Sequence, residues 1–143
     1  MAPSAAELFE PSSALGRRLA GSPDPVGEAR RLLTQLSEAE KVQTLNAHPR
    51  VGERRDRIST SSRVEQGEDQ APPELELLNQ EYERRFGFRF VVFVNGRSKA
   101  EITEVLRERL GKSRADEIDR GLTAIVDIAA DRLGKLDAGA AKS

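Results

Sequence analysis

The stretch Phe88-Arg89-Phe90-Val91-Val92-Phe93-Val94 decides the fold class. It is aromatic and β-branched, it follows Gly87, and Asn95-Gly96 closes it. Taken alone it reads as a buried strand. No second strand candidate exists in the 143 residues for it to pair with. A lone strand leaves its backbone N–H and C=O groups unmatched. The expectation is an extended or partly helical segment near 88–95 that threads the core, with backbone groups free to bind something else. The chain around it is read as all-α, a single compact domain of roughly six to eight helices.

Pro73 opens the helix before this stretch. Leu75, Leu78 and Tyr82 form its apolar stripe, with Leu77 and Phe86 beside them, and Gly87 is placed as a left-handed C-cap. After the stretch, Ser98-Lys99-Ala100-Glu101 is a capping box. Ile102, Val105, Leu106 and Leu110 follow at helical spacing, and Gly111 ends that helix. Ser113 caps the last and longest helix, lined by Ile118, Leu122, Ile125, Val126, Ala129 and Leu133. Gly134 is expected to stop it, leaving 135–143 as a polar, disordered tail.

Towards the N-terminus, 5–9 and 13–20 read as short helices. Asp24-Pro25 is an N-cap followed by proline at the first helical position. Ser37-Glu38-Ala39-Glu40 is another capping box, and its helix carries Val42 and Leu45 and runs into Ala47. The pattern is lost over 50–61, and Ser62 then caps a short helix with Glu65 three residues on. No repeat and no linker divides the chain, so 1–143 reads as one domain.

Hydrophobic residues make up 37% and charged residues 33%, and the formal net charge is -1. That balance gives no electrostatic case for nucleic acid or an anionic membrane as partner. With no cysteine and a single histidine, disulfides, thiolate chemistry and an ordinary zinc site are not expected. No apolar run is long enough to span a bilayer and no secretory signal is visible, so a cytoplasmic setting is expected.

The single histidine lies in Leu45-Asn46-Ala47-His48-Pro49-Arg50-Val51-Gly52-Glu53. A residue before proline is pushed from helical to extended geometry, so His48 is expected where a helix ends and the chain turns. Two readings stand. One is a half-exposed histidine closing a helix, favoured by the helix dipole. The other is a proton donor, since an imidazole titrates near neutral pH unaided.

Three blocks carry a family resemblance: His48-Pro49-x-x-Gly52, Ser62-x-x-Glu65-Gln66 and Asn79-x-x-Tyr82-x-x-x-Phe86-Gly87-Phe88. In this order and spacing, over about 33–133, the chain resembles the OHCU decarboxylases, the 2-oxo-4-hydroxy-4-carboxy-5-ureidoimidazoline decarboxylases of urate breakdown. The resemblance implies an all-helical, cofactor-free enzyme, usually a homodimer, acting on one small molecule to give (S)-allantoin and carbon dioxide. His48 matches the family's proton donor and Pro49 its neighbour at the substrate. Ser62, Arg63, Val64, Glu65 and Gln66 match a substrate-contacting block, with Glu65 important for catalysis. Phe90, Val91, Val92, Phe93 and Val94 match the segment whose backbone meets the substrate, and Arg132 a C-terminal arginine facing the site. Two departures stand out. The family's N-terminal Ser-Pro-Trp element is not visible, and Arg50 stands where many members carry an acidic residue.

These residue types suit that chemistry. The substrate carries its carboxylate one carbon from a C=N bond, so the ring itself takes up the electrons when carbon dioxide leaves. What remains is to hold the ring and deliver one proton to one face. Gln66 offers a donor and an acceptor to an amide edge, and the guanidinium of Arg132 fits an anionic group. By themselves, Ser62-x-x-Glu65 is also a capping box, 90–94 plain core and Arg132 a solvated cation. A helical ureide- or purine-binding module without chemistry, or a decarboxylase of a related substrate, are the alternatives.

Overall fold

A computed structural model describes residues 4–48 and 72–142, with side chains described as far as Leu136. Among the described residues there are seven helices and no strand. They are α1 (Ala5–Leu8), α2 (Ala14–Leu19), α3 (Pro25–Leu32), α4 (Glu38–Ala47), α5 (Pro73–Phe86), α6 (Lys99–Arg109) and α7 (Arg114–Lys142). The all-α reading is borne out.

Most boundaries follow local chemistry. At α4 the Ser37 hydroxyl accepts from the Glu40 N–H, while the Glu40 carboxylate accepts from the Ser37 N–H. The Ser37 amide and the Arg18 guanidinium hold the Glu40 carboxyl below the usual carboxylate range. Ser98 and Glu101 repeat this box at α6. Asp24 accepts from the Gly27 N–H, with Pro25 at the first position of α3. Gly87 ends α5 at φ 85°, a left-handed turn that a side chain would strain.

Helix α7 is the hub. Helices α1, α3 and α4 pack on it, α2 packs on α4, and α5 pairs with α6. At Gly121 a Cβ would lie 2.6 Å from Leu45 Cδ2, so the missing side chain is what lets α4 approach α7 so closely. An aromatic cluster fills the centre. Tyr82 stands 4.6 Å from Phe86, 5.2 Å from Phe90 and 6.0 Å from Phe88, measured between ring centroids.

A buried polar network crosses this cluster. Glu117 is 0% exposed and Arg109 7% exposed. The Arg109 Nε and the Tyr82 hydroxyl both donate to Glu117 Oε1, each at 2.7 Å. Arg109 also donates through Nη1 to the Val91 carbonyl at 3.1 Å, and its guanidinium sits 4.7 Å from the Phe90 ring centre. One cation thereby ties α5, α6, α7 and the 88–94 segment together.

Two expectations are corrected. Helix α7 does not stop at Gly134; its backbone is helical to Lys142. Gly134 carries no left-handed turn, and an interior glycine costs only about 1 kcal/mol against alanine. The Lys135–Asp131 ion pair, 2.9 Å and one turn apart, spans it. Leu77 does not join the apolar face of α5 and is 66% exposed; the stripe runs through Leu75, Asn79, Tyr82 and Phe86.

Removing one member of a buried ion pair leaves the other uncompensated, which costs roughly 3–5 kcal/mol, whereas replacing both with apolar groups costs far less. Arg109→Met should therefore destabilise strongly in urea denaturation, and Arg109→Met combined with Glu117→Leu should recover a large part of the loss. A double variant no more stable than the single would show that the pair is not the anchor.

Tyr82 is the protein's one tyrosine, and there is no tryptophan. Burial first, then the hydrogen bond to Glu117, raise its hydroxyl above its ordinary range. The folded state thus keeps a proton that the unfolded chain releases above about pH 10. This contribution to stability is complete below that pH and is lost progressively as pH rises from there through the higher folded-state value. Tyrosinate absorbance should stay absent near pH 10 and appear together with the loss of helical circular dichroism. Absorbance that rises while the helices remain intact would place Tyr82 in contact with solvent.

Candidate active site

Helix α4 ends at Ala47. His48, with Pro49 behind it, adopts φ -80° and ψ 141°, the extended geometry expected before a proline. Its N–H donates to the Leu45 carbonyl at 3.2 Å. Its own carbonyl accepts from Arg89 Nη1 at 2.8 Å. The residue is half-buried. Asn46, two positions earlier, accepts the Arg89 N–H on Oδ1 at 3.0 Å. These contacts bring the histidine turn against the start of the 88–94 segment, across about forty residues of chain.

The segment is extended and belongs to no sheet among the described residues. Phe88, Phe90, Val91 and Val92 are buried, Phe93 is half-buried, and Val94 is 43% exposed. The expectation that its backbone groups stand free is corrected for three carbonyls. Arg109 holds that of Val91, and Arg97 holds those of Phe93 and Val94. Arginine side chains do here what a neighbouring strand would do in a sheet. The segment then turns at Asn95 and Gly96, at φ 48° and 79°.

Beyond it lies an open groove of about 450 Å³, lined in part by Val92, Phe93, Arg97, Arg109, Thr123 and Asp127. His48 does not line it. Three of its charged residues are engaged elsewhere: Arg97 with the segment, Arg109 with Glu117, and Asp127 with Arg30 at 3.2 Å; Asp119 and Arg120 line it as well.

Arg132 is exposed, and among the described residues its guanidinium donates to the Leu8 carbonyl, at 3.2 Å from Nη1. It lies eleven residues beyond Gly121, where α4 meets α7, or about 16 Å along a helix. The structure holds it on the end of α1 and does not hydrogen-bond it to His48. Pro49, Ser62, Arg63, Val64, Glu65 and Gln66 lie outside the described residues, as does the short helix expected from Ser62. Among the described residues no group of three or more potential metal ligands is gathered.

Four residues that shape this region were not singled out from the sequence: Asn46, Arg89, Arg109 and Glu117. Two of them left a trace. Arg109 falls seven positions after Ile102, and Glu117 four before Gly121, so each is a charge on an otherwise apolar stripe. Asn46 and Arg89 meet only in the fold.

The fold and the site together define an all-helical domain whose histidine turn is fastened to a core segment. The profile described as OHCU decarboxylase matches residues 5–134, so the likeness reaches further towards the N-terminus than the motifs alone suggest. The chain belongs to the OHCU decarboxylase family. It is 34% identical over 107 residues to the 2-oxo-4-hydroxy-4-carboxy-5-ureidoimidazoline decarboxylase of Halalkalicoccus jeotgali, covering 70% of this chain and 60% of that protein. It is 30% identical over 141 residues to the uric acid degradation bifunctional protein PucL of Bacillus subtilis, covering 90% of this chain and 28% of PucL. The matches thus span 60% and 28% of the length of these two relatives, in each case less than two thirds. A solved OHCU decarboxylase, crystallised in the presence of (S)-allantoin, shares the fold with a TM-score of 0.67 at 24% identity, over 87% of this chain and 91% of that one.

Proposed function

We propose that the chain decarboxylates 2-oxo-4-hydroxy-4-carboxy-5-ureidoimidazoline to (S)-allantoin and carbon dioxide, in the breakdown of urate. Family membership supports the reaction class. The observation that carries the site is the position of His48, the one histidine of the chain, held in an extended turn beside the 88–94 segment. The homodimer and the cytoplasmic setting belong to the same proposal.

The chemistry follows from the substrate. As the carboxylate leaves, its bonding pair moves into the adjacent C=N unit, so the ring supplies its own electron sink and the reading assigns no cofactor. The protein then delivers a proton to one face of the resulting carbon. His48 is the donor in this reading, and a positioned acid of this kind contributes about 10²–10⁴-fold. Glu65 orients His48 or the substrate hydroxyl, and its negative charge favours the protonated imidazole. Gln66 pairs with an amide edge of the ureide or ring. Pro49 and the Ser62, Arg63 and Val64 stretch complete the wall. The backbone of Phe90, Val91, Val92, Phe93 and Val94 meets the ring through those groups that Arg97 and Arg109 leave open. Arg132 serves the anionic end if its guanidinium exchanges Leu8 for substrate.

The test is freshly generated substrate, made from urate in place, with the product followed by circular dichroism. The uncatalysed route gives a racemate, so a single enantiomer is the signature. His48→Ala and Glu65→Gln should each lower the stereoselective rate by about 10²–10⁴-fold. A His48→Ala variant that keeps both rate and chirality would refute the role given to the imidazole. An inactive wild-type chain that binds the ureide would favour the binding module instead.

A further inference from the structure

We infer that Arg89 is the positioning residue that sets the orientation of His48. The inference rests on the reading of His48 as proton donor. Arg89 reaches the end of α4 twice. Its backbone N–H donates to Asn46 Oδ1 at 3.0 Å, and its guanidinium donates to the His48 carbonyl at 2.8 Å. Asn46 and His48 flank Ala47, so one residue grips both sides of the last helical position.

The grip has a firm base. Phe88 and Phe90, the neighbours of Arg89, are 2% and 1% exposed. The next residue, Val91, is fastened through its carbonyl to Arg109, which is itself paired with Glu117. Arg89 itself is half-buried. The rigidity of the core therefore passes through its backbone to the histidine turn. Fixing the His48 carbonyl fixes the peptide plane leading into Pro49, and with it the direction in which the imidazole leaves the chain.

The pattern is more than helix capping. A cation at a helix C-terminus is favourable wherever it lies in the last turn. Arg89 instead comes from a segment more than forty positions away, and it holds the carbonyl of the histidine itself. A lysine would supply the charge but not the planar fork, and its hydrated ammonium would hold the carbonyl more loosely. A shift of about 1 Å in a catalytic group costs about 10²-fold in rate, which sets the scale of the expected effect.

The test uses the full chain and its single histidine, which gives one set of imidazole ring signals in a proton–carbon correlation spectrum. Arg89→Met should shift or broaden those signals and lower kcat for the stereoselective reaction about 10²-fold, with KM changed by far less. Arg89→Lys should be intermediate in both. Ring signals and kcat unchanged in Arg89→Met would overturn the inference, and so would ring signals that move while kcat holds. If Arg89→Met loses its amide dispersion and does not fold, Arg89→Lys decides by the same two readouts. A His48→Ala chain that still makes a single enantiomer refutes the parent reading, whereas the ring signals report on positioning whether or not that reading stands.

Discussion

The structure depends on the buried pairing of Arg109 with Glu117. Taking a carboxylate fully out of water costs several kcal/mol unless a partner compensates it. Glu117 has two partners on one oxygen, the Arg109 guanidinium and the Tyr82 hydroxyl. Among the described residues its other oxygen has no hydrogen bond, nor has Arg109 Nη2, and the Arg120 Nε lies 3.8 Å from that oxygen. Replacing the trio with hydrocarbon would make an easier core. What the charged trio provides is direction: a guanidinium with fixed geometry reaches the Val91 carbonyl and lies over Phe90. A greasy side chain would give the extended segment no such register.

That register leads to the site. The 88–94 segment has no neighbouring strand among the described residues, so arginines take its carbonyls and aromatic packing holds its side chains. Its first polar residue, Arg89, then reaches the turn at His48 where α4 ends. Gly121 lets the same helix lie close on α7. An acid that must protonate one face of a flat ring needs a fixed approach, and these contacts form an unbroken path from the core to the imidazole-bearing backbone.

Much of this was legible in the sequence because it is local chemistry. Ser37 and Ser98 announce their helices through a glutamate three residues on, Asp24-Pro25 does so through a cap and a fixed φ, and Gly87 through its freedom at positive φ. His48 was placed correctly because proline constrains the residue before it. What periodicity does not carry is pairing between distant residues. Arg109 and Glu117 each stand as a charge on an apolar stripe, and only the fold makes them one buried unit. The Asn46–Arg89 contact is equally non-local. Gly134 misled because a glycine ends a helix only when the chain turns left-handed there, and here good helix formers follow it. Leu77 misled because an apolar residue beside a stripe need not join it. Arg132 was read by family position, and the fold gives it the Leu8 carbonyl. The Ser62, Glu65 and Gln66 block was legible only as a motif.

The most direct measurement is a crystal structure of the chain with (S)-allantoin bound. A ring nitrogen of His48 should face the stereogenic carbon at about 3–3.5 Å, the separation of atoms poised to react, with Glu65 and Gln66 against the same molecule and Arg89 still on the His48 carbonyl. Allantoin bound elsewhere, with the imidazole turned into solvent, would contradict the assignment of His48 as the group that hands over the proton.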